Sequence, residues 1–179
     1  NRYRYHEEVW AGYGKMNTNL WGNQITIGLR VEGTSLSSYS LTMEREDRQS
    51  YVDFFPSVSL MRQFGKEKAH SIALNYSRRI SRPYYGIFNP YEIPLSEFSA
   101  VVGNPDIRPS YINRYSVTGV FFQKYSVTAE YGHYTGLISQ IVMQSPENPD
   151  MTVYKHVNMD SKDRFGLSIS APVKVTKWW

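Results

Sequence analysis

The chain has 179 residues, no cysteine, a formal net charge of +4 and an aromatic content of 15%. Its hydrophobic content is 41%, yet its mean hydropathy is −0.49, so the apolar residues are dispersed among polar ones. The runs of about 18 apolar residues that transmembrane helices need are missing. The lack of cysteine excludes disulfides, thiolate metal sites and thiol nucleophiles. Lys and Arg are scattered along the chain instead of forming a basic stripe, so we expect no nucleic-acid partner.

Alternation of apolar and polar residues with a period of two dominates the sequence and predicts β-strands. The clearest segment is 24–32, whose apolar parity consists of Ile25, Ile27, Leu29 and Val31. The segment before it has an apolar parity of Tyr3, Tyr5, Val9, Ala11 and Tyr13. Shorter alternations follow at 57–60 and 71–77.

The second half of the chain predicts a hairpin and three further strands. Two related tetrapeptides, 115–118 and 125–128, flank a short Gln123-Lys124 link, which is typical of a hairpin. The later strand candidates are 138–144, 152–158 and 165–173. Pro and Gly recur throughout, which disfavours long helices.

The predicted connections differ in length. Short links at 15–22, 65–68 and 123–124 alternate with long polar or Pro-rich stretches at 33–50, 83–110 and around 145–150. Tight turns at one rim and long loops at the other are typical of an up-and-down membrane barrel. The sequence therefore predicts an all-β antiparallel meander that is part of a large transmembrane β-barrel. The alternative is a secreted soluble β-sandwich that binds carbohydrate or protein through aromatic loops.

Aromatic residues cluster near the predicted strand ends, where the interfacial girdle of a membrane barrel lies. They are Tyr3, Tyr5, Tyr13, Trp21, Tyr51, Phe64, Tyr131, Tyr134, Trp178 and Trp179. Aromatic-rich strands also build soluble β cores, so the girdle interpretation depends on the loop asymmetry as well.

Three segments in the middle of the chain resemble a known family. They are Tyr76-Ser77-Arg78-Arg79-Ile80-Ser81-Arg82-Pro83-Tyr84-Tyr85, then Phe88-Asn89-Pro90-Tyr91, then Gly103-Asn104-Pro105-Asp106-Ile107-Arg108-Pro109. Together they resemble large outer-membrane β-barrel proteins related to TonB-dependent receptors. Weaker similarity extends over the flanking segments 28–34, 54–57, 167–172 and 177–179.

The resemblance implies a closed barrel of about 22 strands around an N-terminal plug, in the cell outer membrane. It also implies contact with membrane lipid and lipopolysaccharide, and with an inner-membrane energising complex. The chain starts at Asn1 and ends within a predicted strand region. We therefore expect residues 1–179 to be one partial barrel segment, without plug or remaining strands. We also expect such a segment to self-associate through its open sheet edges.

The central block supplies the candidate contact residues for a ligand or the plug. They are Arg78, Arg79, Arg82, Tyr84, Tyr85, Asn89, Tyr91 and Asn104. The arginines have three interpretations: they pair with plug or loop carboxylates in the lumen, bind lipopolysaccharide phosphates, or fix the strand end before Pro83. The Pro-rich loop that follows either gates the barrel and touches ligand, or folds inward and packs.

No catalytic or metal-binding motif is recognisable, so we expect neither enzymatic activity nor a cofactor. His6-Glu7-Glu8 begins like a zinc-protease motif, but Trp10 stands where the second histidine belongs. The acidic residues at 44–47 are interspersed with arginine, which favours a self-neutralised surface loop over a calcium site.

Overall fold

The computed structural model describes residues 2–145 and 148–173, which form one nine-stranded β-sheet. The strands are β1 (Tyr3–Leu20), β2 (Asn23–Ser40), β3 (Arg45–Phe64), β4 (His70–Ser81), β5 (Glu92–Ser96), β6 (Ser99–Val102), β7 (Ser110–Phe121), β8 (Tyr125–Gln144) and β9 (Thr152–Ser170). Their order in the sheet is β1-β2-β3-β4-β7-β8-β9-β6-β5. Each of the seven long strands pairs in antiparallel orientation with the long strand that precedes or follows it in the chain, which confirms the predicted meander.

Helical structure in the described residues is limited to two 3-10 turns, Lys66–Lys68 and Tyr85–Phe88. Within the same residues, no helix is long and apolar enough to cross a membrane.

Three tight connections lie at one end of the long strands. Trp21 and Gly22 close β1 onto β2 with φ values of 51° and 78°, the left-handed pair that a type I′ hairpin requires. The predicted hairpin of β7 and β8 is confirmed, and its turn contains Gln123 at φ 56°. The backbone N–H of Gln123 donates to the carbonyl of Ala69 at 3.1 Å, so the two neighbouring turns are joined.

The predicted loop at 33–50 is wrong. β2 continues to Ser40 and β3 begins at Arg45, so only residues 41–44 connect them. The strict alternation of short and long links therefore fails at this position. The sequence pattern did not reveal these strands because the buried side chains at alternate positions of β2 are mostly small and polar: Thr34, Leu36, Ser38 and Ser40.

Other strand limits differ as well. Residues 138–144 belong to β8, and the separate strands predicted at 152–158 and 165–173 are one strand, β9. Polar residues between them interrupt the apolar pattern without interrupting the pairing, since Thr135 still lies opposite Ser161. The first short link, predicted at 15–22, is only the two residues between Leu20 and Asn23.

The long strands carry one apolar and one polar face. Ile27 lies opposite Val58 and Met16 on the apolar face, whereas Thr26 lies opposite Ser59 and Asn17 on the polar face. The parity of β1 is the reverse of the predicted one: Tyr3, Tyr5, Val9, Ala11 and Tyr13 lie on the polar face. Tyr3 and Tyr5 pack against a covering loop at one end of β1, whereas Val9 and Tyr13 are exposed on the same face.

The segment 82–109 supplies that covering loop, which folds across the polar face. Its buried Ile87, Phe88 and Ile107 pack with Leu36 of β2, and Tyr3, Tyr5 and Ile138 surround this cluster. Burial of each large side chain contributes about 1.5–3 kcal/mol, which holds the loop on the sheet. Inward folding, one of the two predicted alternatives, is therefore what the structure shows.

The loop also contains β5 and β6, and β6 pairs in parallel with the start of β9 at residues 152–155. This pairing is the one departure from an up-and-down meander among the described strands.

Candidate functional site

Arg82 is the centre of a polar network beneath the covering loop. Its Nη2 donates to Glu32 Oε2 at 2.6 Å and to Thr34 Oγ1 at 3.1 Å, and its Nε lies 3.7 Å from Glu7 Oε1. Arg30 Nη2 binds the other oxygen of the Glu32 carboxylate at 2.6 Å. Two guanidinium groups therefore share one carboxylate between β2 and the start of the loop.

The network compensates for a charge that is removed from water. The Glu32 side chain is only 7% exposed, and a buried carboxylate without partners is strongly unfavourable. Burial lowers the pKa of Arg82. The hydrogen bond to Glu32 and the nearby charges of Tyr51 and Glu32 raise it by a larger amount, so the pKa of Arg82 lies above its ordinary value. The guanidinium of Arg82 thus stays charged and holds the loop entrance against β2.

A second polar contact connects β3 with β7. The pairing of β3 with β4 ends at Ser57 and Ser77, and beyond it the Tyr111 hydroxyl donates to Asp53 Oδ2 at 3.1 Å. Arg78 places its guanidinium carbon 4.9 Å from the centre of the Tyr111 ring, within cation–π range.

The Gly103-Asn104 step fixes the middle of the covering loop. A side chain at Gly103 would overlap the carbonyl of Asn89 and would lie 2.6 Å from that of Ile87, so only glycine fits. Asn104 Nδ2 donates to the His156 carbonyl at 3.0 Å, and its Oδ1 accepts from the Asp106 N–H at 3.1 Å. One asparagine therefore links the loop to β9 and shapes its next turn.

Two amide side chains anchor the last part of the loop. Gln49 Nε2 donates to the carbonyls of Pro105 and Ile107 at 3.0 and 3.3 Å. Asn158 accepts from the Arg108 N–H and donates to the Arg108 carbonyl, both at 2.8 Å. The loop is thereby held between β3 and β9 through its backbone.

A cleft of about 760 Å³ adjoins this anchored segment. It is lined by β3, the end of the loop, the start of β7 and the parts of β8 and β9 near Gly136 and Asn158. Its size falls within the usual range of small-molecule sites, roughly 300–1,000 Å³.

The predicted arginines separate in the structure. Arg82 and Arg78 join the polar contacts described above. The carboxylates that Arg82 binds belong to strands β1 and β2, and not to the plug or a loop as one interpretation had it. Arg79 lies opposite Ile112 and is exposed, and among the described residues it forms no ion pair.

The predicted loop residues also divide into two groups. Asn89 Oδ1 accepts from the Tyr91 N–H at 3.2 Å, so Asn89 and Tyr91 form a local turn, as Asn104 does. Tyr84 and Tyr85 remain 62% and 67% exposed, with ring centroids 6.3 Å from His156 and 6.4 Å from Tyr5 respectively. Asn89, Tyr91 and Asn104 thus shape the loop, whereas the two tyrosines are accessible to a ligand.

The partners of these residues were not recognised from the sequence. They are Glu7, Glu32, Asp53, Gln49 and Asn158. A signal existed for two of them, because Glu7 interrupts an otherwise apolar parity and Glu32 sits on the polar parity of β2 next to Arg30. Gln49 carries no such signal, because it lies in the stretch 33–50 that was predicted as a loop. Asn158 is the last residue of a predicted strand, and nothing in the sequence marks it as a partner of the loop.

The acidic candidates for metal sites have other partners. His6 contacts Glu8 at 3.1 Å, while Glu7 points to the opposite face towards Arg82. The acidic residues at 46 and 47 pair with Arg48 and Arg45 at 2.7 and 2.8 Å. In the part of the chain that the structure describes, no three metal-ligating side chains come together.

The apolar face carries a row of aromatic rings on four neighbouring strands. Tyr76, Tyr115, Tyr131 and Phe165 lie in register, with successive centroids 4.9, 6.0 and 4.9 Å apart. The Tyr131 hydroxyl donates to Asp163 at 2.8 Å, so the row has polar groups beside it. The predicted aromatics Trp178 and Trp179 lie outside the described residues.

The fold and sequence match known outer-membrane proteins. The sequence pattern of the Outer membrane protein beta-barrel family matches residues 1–179. Among solved structures, the siderophore receptor PirA from Pseudomonas aeruginosa is 13% identical with a TM-score of 0.60, and the match covers 97% of this chain and 41% of PirA. The Serratia marcescens hemophore receptor HasR, as a double mutant with its hemophore HasA and heme, is 13% identical with a TM-score of 0.67, covering 91% and 31%.

A third structure, the copper transporter OprC, is 13% identical with a TM-score of 0.68, and the match covers 94% of this chain and 27% of OprC. The chain thus spans between about a quarter and two fifths of the length of these structures. At this identity the likeness concerns the fold. No curated protein sequence matches the chain significantly.

Proposed function

The chain belongs to the Outer membrane protein beta-barrel family and is located in the cell outer membrane, and we propose that it forms part of the barrel of a receptor that takes up a ligand. The parent protein, in this proposal, resembles TonB-dependent receptors and contains further strands and a plug. Residues 1–179 are then a single barrel segment within it.

The observation that carries the proposal is the difference between the two faces of the long strands. The apolar face exposes large side chains such as Phe54, Leu74, Leu167 and Ile169, which are between 43% and 71% exposed. Exposed apolar bands flanked by aromatic residues are stable against lipid and unfavourable against water. The polar face carries hydroxyl and amide pairs, for example Asn17 with Thr26 at 2.8 Å, as the wall of a hydrated lumen does.

The proposed partners follow from this orientation. Lipid and lipopolysaccharide contact the apolar face, whereas the plug and the ligand contact the polar face. The inner-membrane energising complex acts through the parent protein. Open edges at β1 and along the lower part of β9 pair with further strands of the parent, or with another copy when the segment is isolated.

Within this receptor, Tyr84, Tyr85 and Arg79 are the proposed ligand or plug contacts, because their side chains are exposed. Arg78, Arg82, Asn89, Tyr91 and Asn104 are proposed to act by holding the loop in place. We propose no catalytic role for the chain. The soluble-sandwich alternative is wrong for the described residues, which form one sheet and not two packed sheets.

Growth under nutrient limitation tests the uptake function. A strain deleted for the parent gene is competed with its wild type in media limited for one nutrient at a time: iron, heme, copper or an oligosaccharide. We expect a defect on one nutrient that the intact gene restores and that a protonophore reproduces in the wild type. Equal growth of the two strains in all these media, or restoration that is insensitive to the protonophore, contradicts energised uptake.

A further inference from the structure

We propose that the cleft beside the covering loop binds a ring-bearing acid, with Arg108 as the group that binds the carboxylate. The inference rests on the proposed receptor function and specifies the ligand class at one subsite.

The cleft results from unequal strand lengths. β4 and β7 end at the Ser81–Ser110 pair, and Tyr111 with Thr135 is the last pair of β7 and β8. β3 and β8 continue beyond this level to Arg45 and Gln144. The wall therefore has an opening two strands wide, which residues 105–109 only partly fill.

Arg108 is positioned in this opening by its backbone. Asn158 holds both the N–H and the carbonyl of Arg108 at 2.8 Å and also donates to the Gly136 carbonyl at 2.8 Å. The Arg108 side chain is exposed, and among the described residues it forms no ion pair. A fixed backbone with a free guanidinium is suited to bidentate binding of a carboxylate.

The cleft also presents ring surfaces. Tyr51 and Tyr111 both line it. The Tyr111 hydroxyl is occupied by Asp53 at 3.1 Å, and the Arg78 guanidinium lies over its ring at 4.9 Å from the ring centre. The parts of the Tyr51 and Tyr111 rings that line the cleft offer apolar surface on which a planar ring stacks favourably.

The charges of the lining favour an anion. Arg48 and Arg108 line the cleft together with a single acidic residue, Asp106. Arg48 already binds Glu46 at 2.7 Å, which leaves Arg108 as the available cation. The tyrosine rings of the cleft suit a planar ring, and the free guanidinium of Arg108 suits a carboxylate, so the matching ligand carries both groups.

Three small probes separate these contributions in the full-length protein purified in detergent. Benzoate carries both ring and charge, benzyl alcohol carries the ring alone, and acetate carries the charge alone. Saturation-transfer NMR titrations measure their dissociation constants. We expect benzoate to bind about tenfold more tightly than either partial probe, the ratio produced by one charge-assisted hydrogen bond.

Variants assign the binding to the cleft. Arg108→Gln keeps the backbone contacts with Asn158 and is expected to raise the dissociation constant of benzoate about tenfold. Asp106→Asn removes the competing carboxylate and is expected to lower the dissociation constant of benzoate about threefold. Arg164→Gln, on β9 and outside the cleft, is the matched control and leaves binding unchanged.

Unchanged benzoate affinity in both Arg108→Gln and Asp106→Asn overturns the proposal, as does equal binding of benzyl alcohol and benzoate. The Asp106→Asn variant keeps the test valid if Arg108→Gln fails to fold. The outcome is separable from the uptake function: growth that depends on the gene, together with no benzoate binding, rejects the cleft alone.

Discussion

The ion pair between Arg82 and Glu32 provides a quantitative test of how the covering loop is held. The perturbations are Arg82→Gln, Glu32→Gln and the double variant, which removes both charges and leaves a polar amide at each position. The exposed pair of Arg48 with Glu46 supplies the matched control, because its contact of 2.7 Å is nearly as short as the 2.6 Å of Arg82 with Glu32.

Burial determines the expected magnitude. Glu32 and Arg82 are 7% and 24% exposed, whereas Glu46 and Arg48 are 49% and 75% exposed. Breaking a buried pair costs about 3–5 kcal/mol, but Arg30 still binds Glu32 at 2.6 Å after Arg82 is replaced. We therefore expect about 2 kcal/mol of coupling for the buried pair, and at most about 0.5 kcal/mol for the exposed one.

Amide hydrogen exchange in the segment 83–109 is the assay, because it reports opening of the loop without global unfolding. A loss of about 2 kcal/mol corresponds to a roughly 30-fold faster exchange in Arg82→Gln. The four exchange rates of each cycle give the coupling energy. Additive effects within about 0.3 kcal/mol for the buried pair, or equal coupling in the two cycles, refute the assigned role of Arg82.

Three further predictions concern two backbone positions and one side-chain hydrogen bond. Gly103→Ala should accelerate exchange across the same loop, since its methyl group meets two backbone carbonyls, while melting of the sheet shifts little. Gln123→Gly should stabilise the β7–β8 hairpin by about 0.5 kcal/mol by relieving a left-handed residue, measured as a raised urea midpoint; a lowered midpoint contradicts the turn geometry. Tyr111→Phe removes the hydrogen bond of 3.1 Å to Asp53 and should lower the free energy of unfolding by about 1 kcal/mol, measured as a lowered urea midpoint. An unchanged midpoint argues against a stabilising role for this bond.

Strands could be predicted from the sequence where aliphatic side chains occur at every second position. Ile25 to Val31 identified the correct apolar parity of β2, because alternate residues of a strand lie on opposite faces. The same rule misassigned β1, because a loop distant in sequence covers Tyr3 and Tyr5 on the polar face. Periodicity reports burial, and it does not distinguish burial by lipid from burial by a loop.

The strand ends beyond the apolar band could not be predicted from pattern. There both faces of β2 and β3 are largely polar, so residues 33–50 resemble a loop although residues 33–40 pair with residues 45–52. Arg82 was recognised as a candidate because of the arginine cluster around it. Its partners were not recognised, since Glu32 lies 50 residues away and only the folded loop brings them together.

The orientation of the two strand faces in the membrane decides whether these strands form a barrel wall. The chain has no cysteine, so single cysteines along β3 from 52 to 64 can each carry a spin label in the full-length protein reconstituted in bilayers. Accessibility to oxygen, which partitions into lipid, should peak at residues 54, 58 and 60, and accessibility to a water-soluble nickel complex should peak at 55, 57 and 59. Accessibilities without a period of two, or with the opposite parity, contradict a membrane-spanning barrel wall.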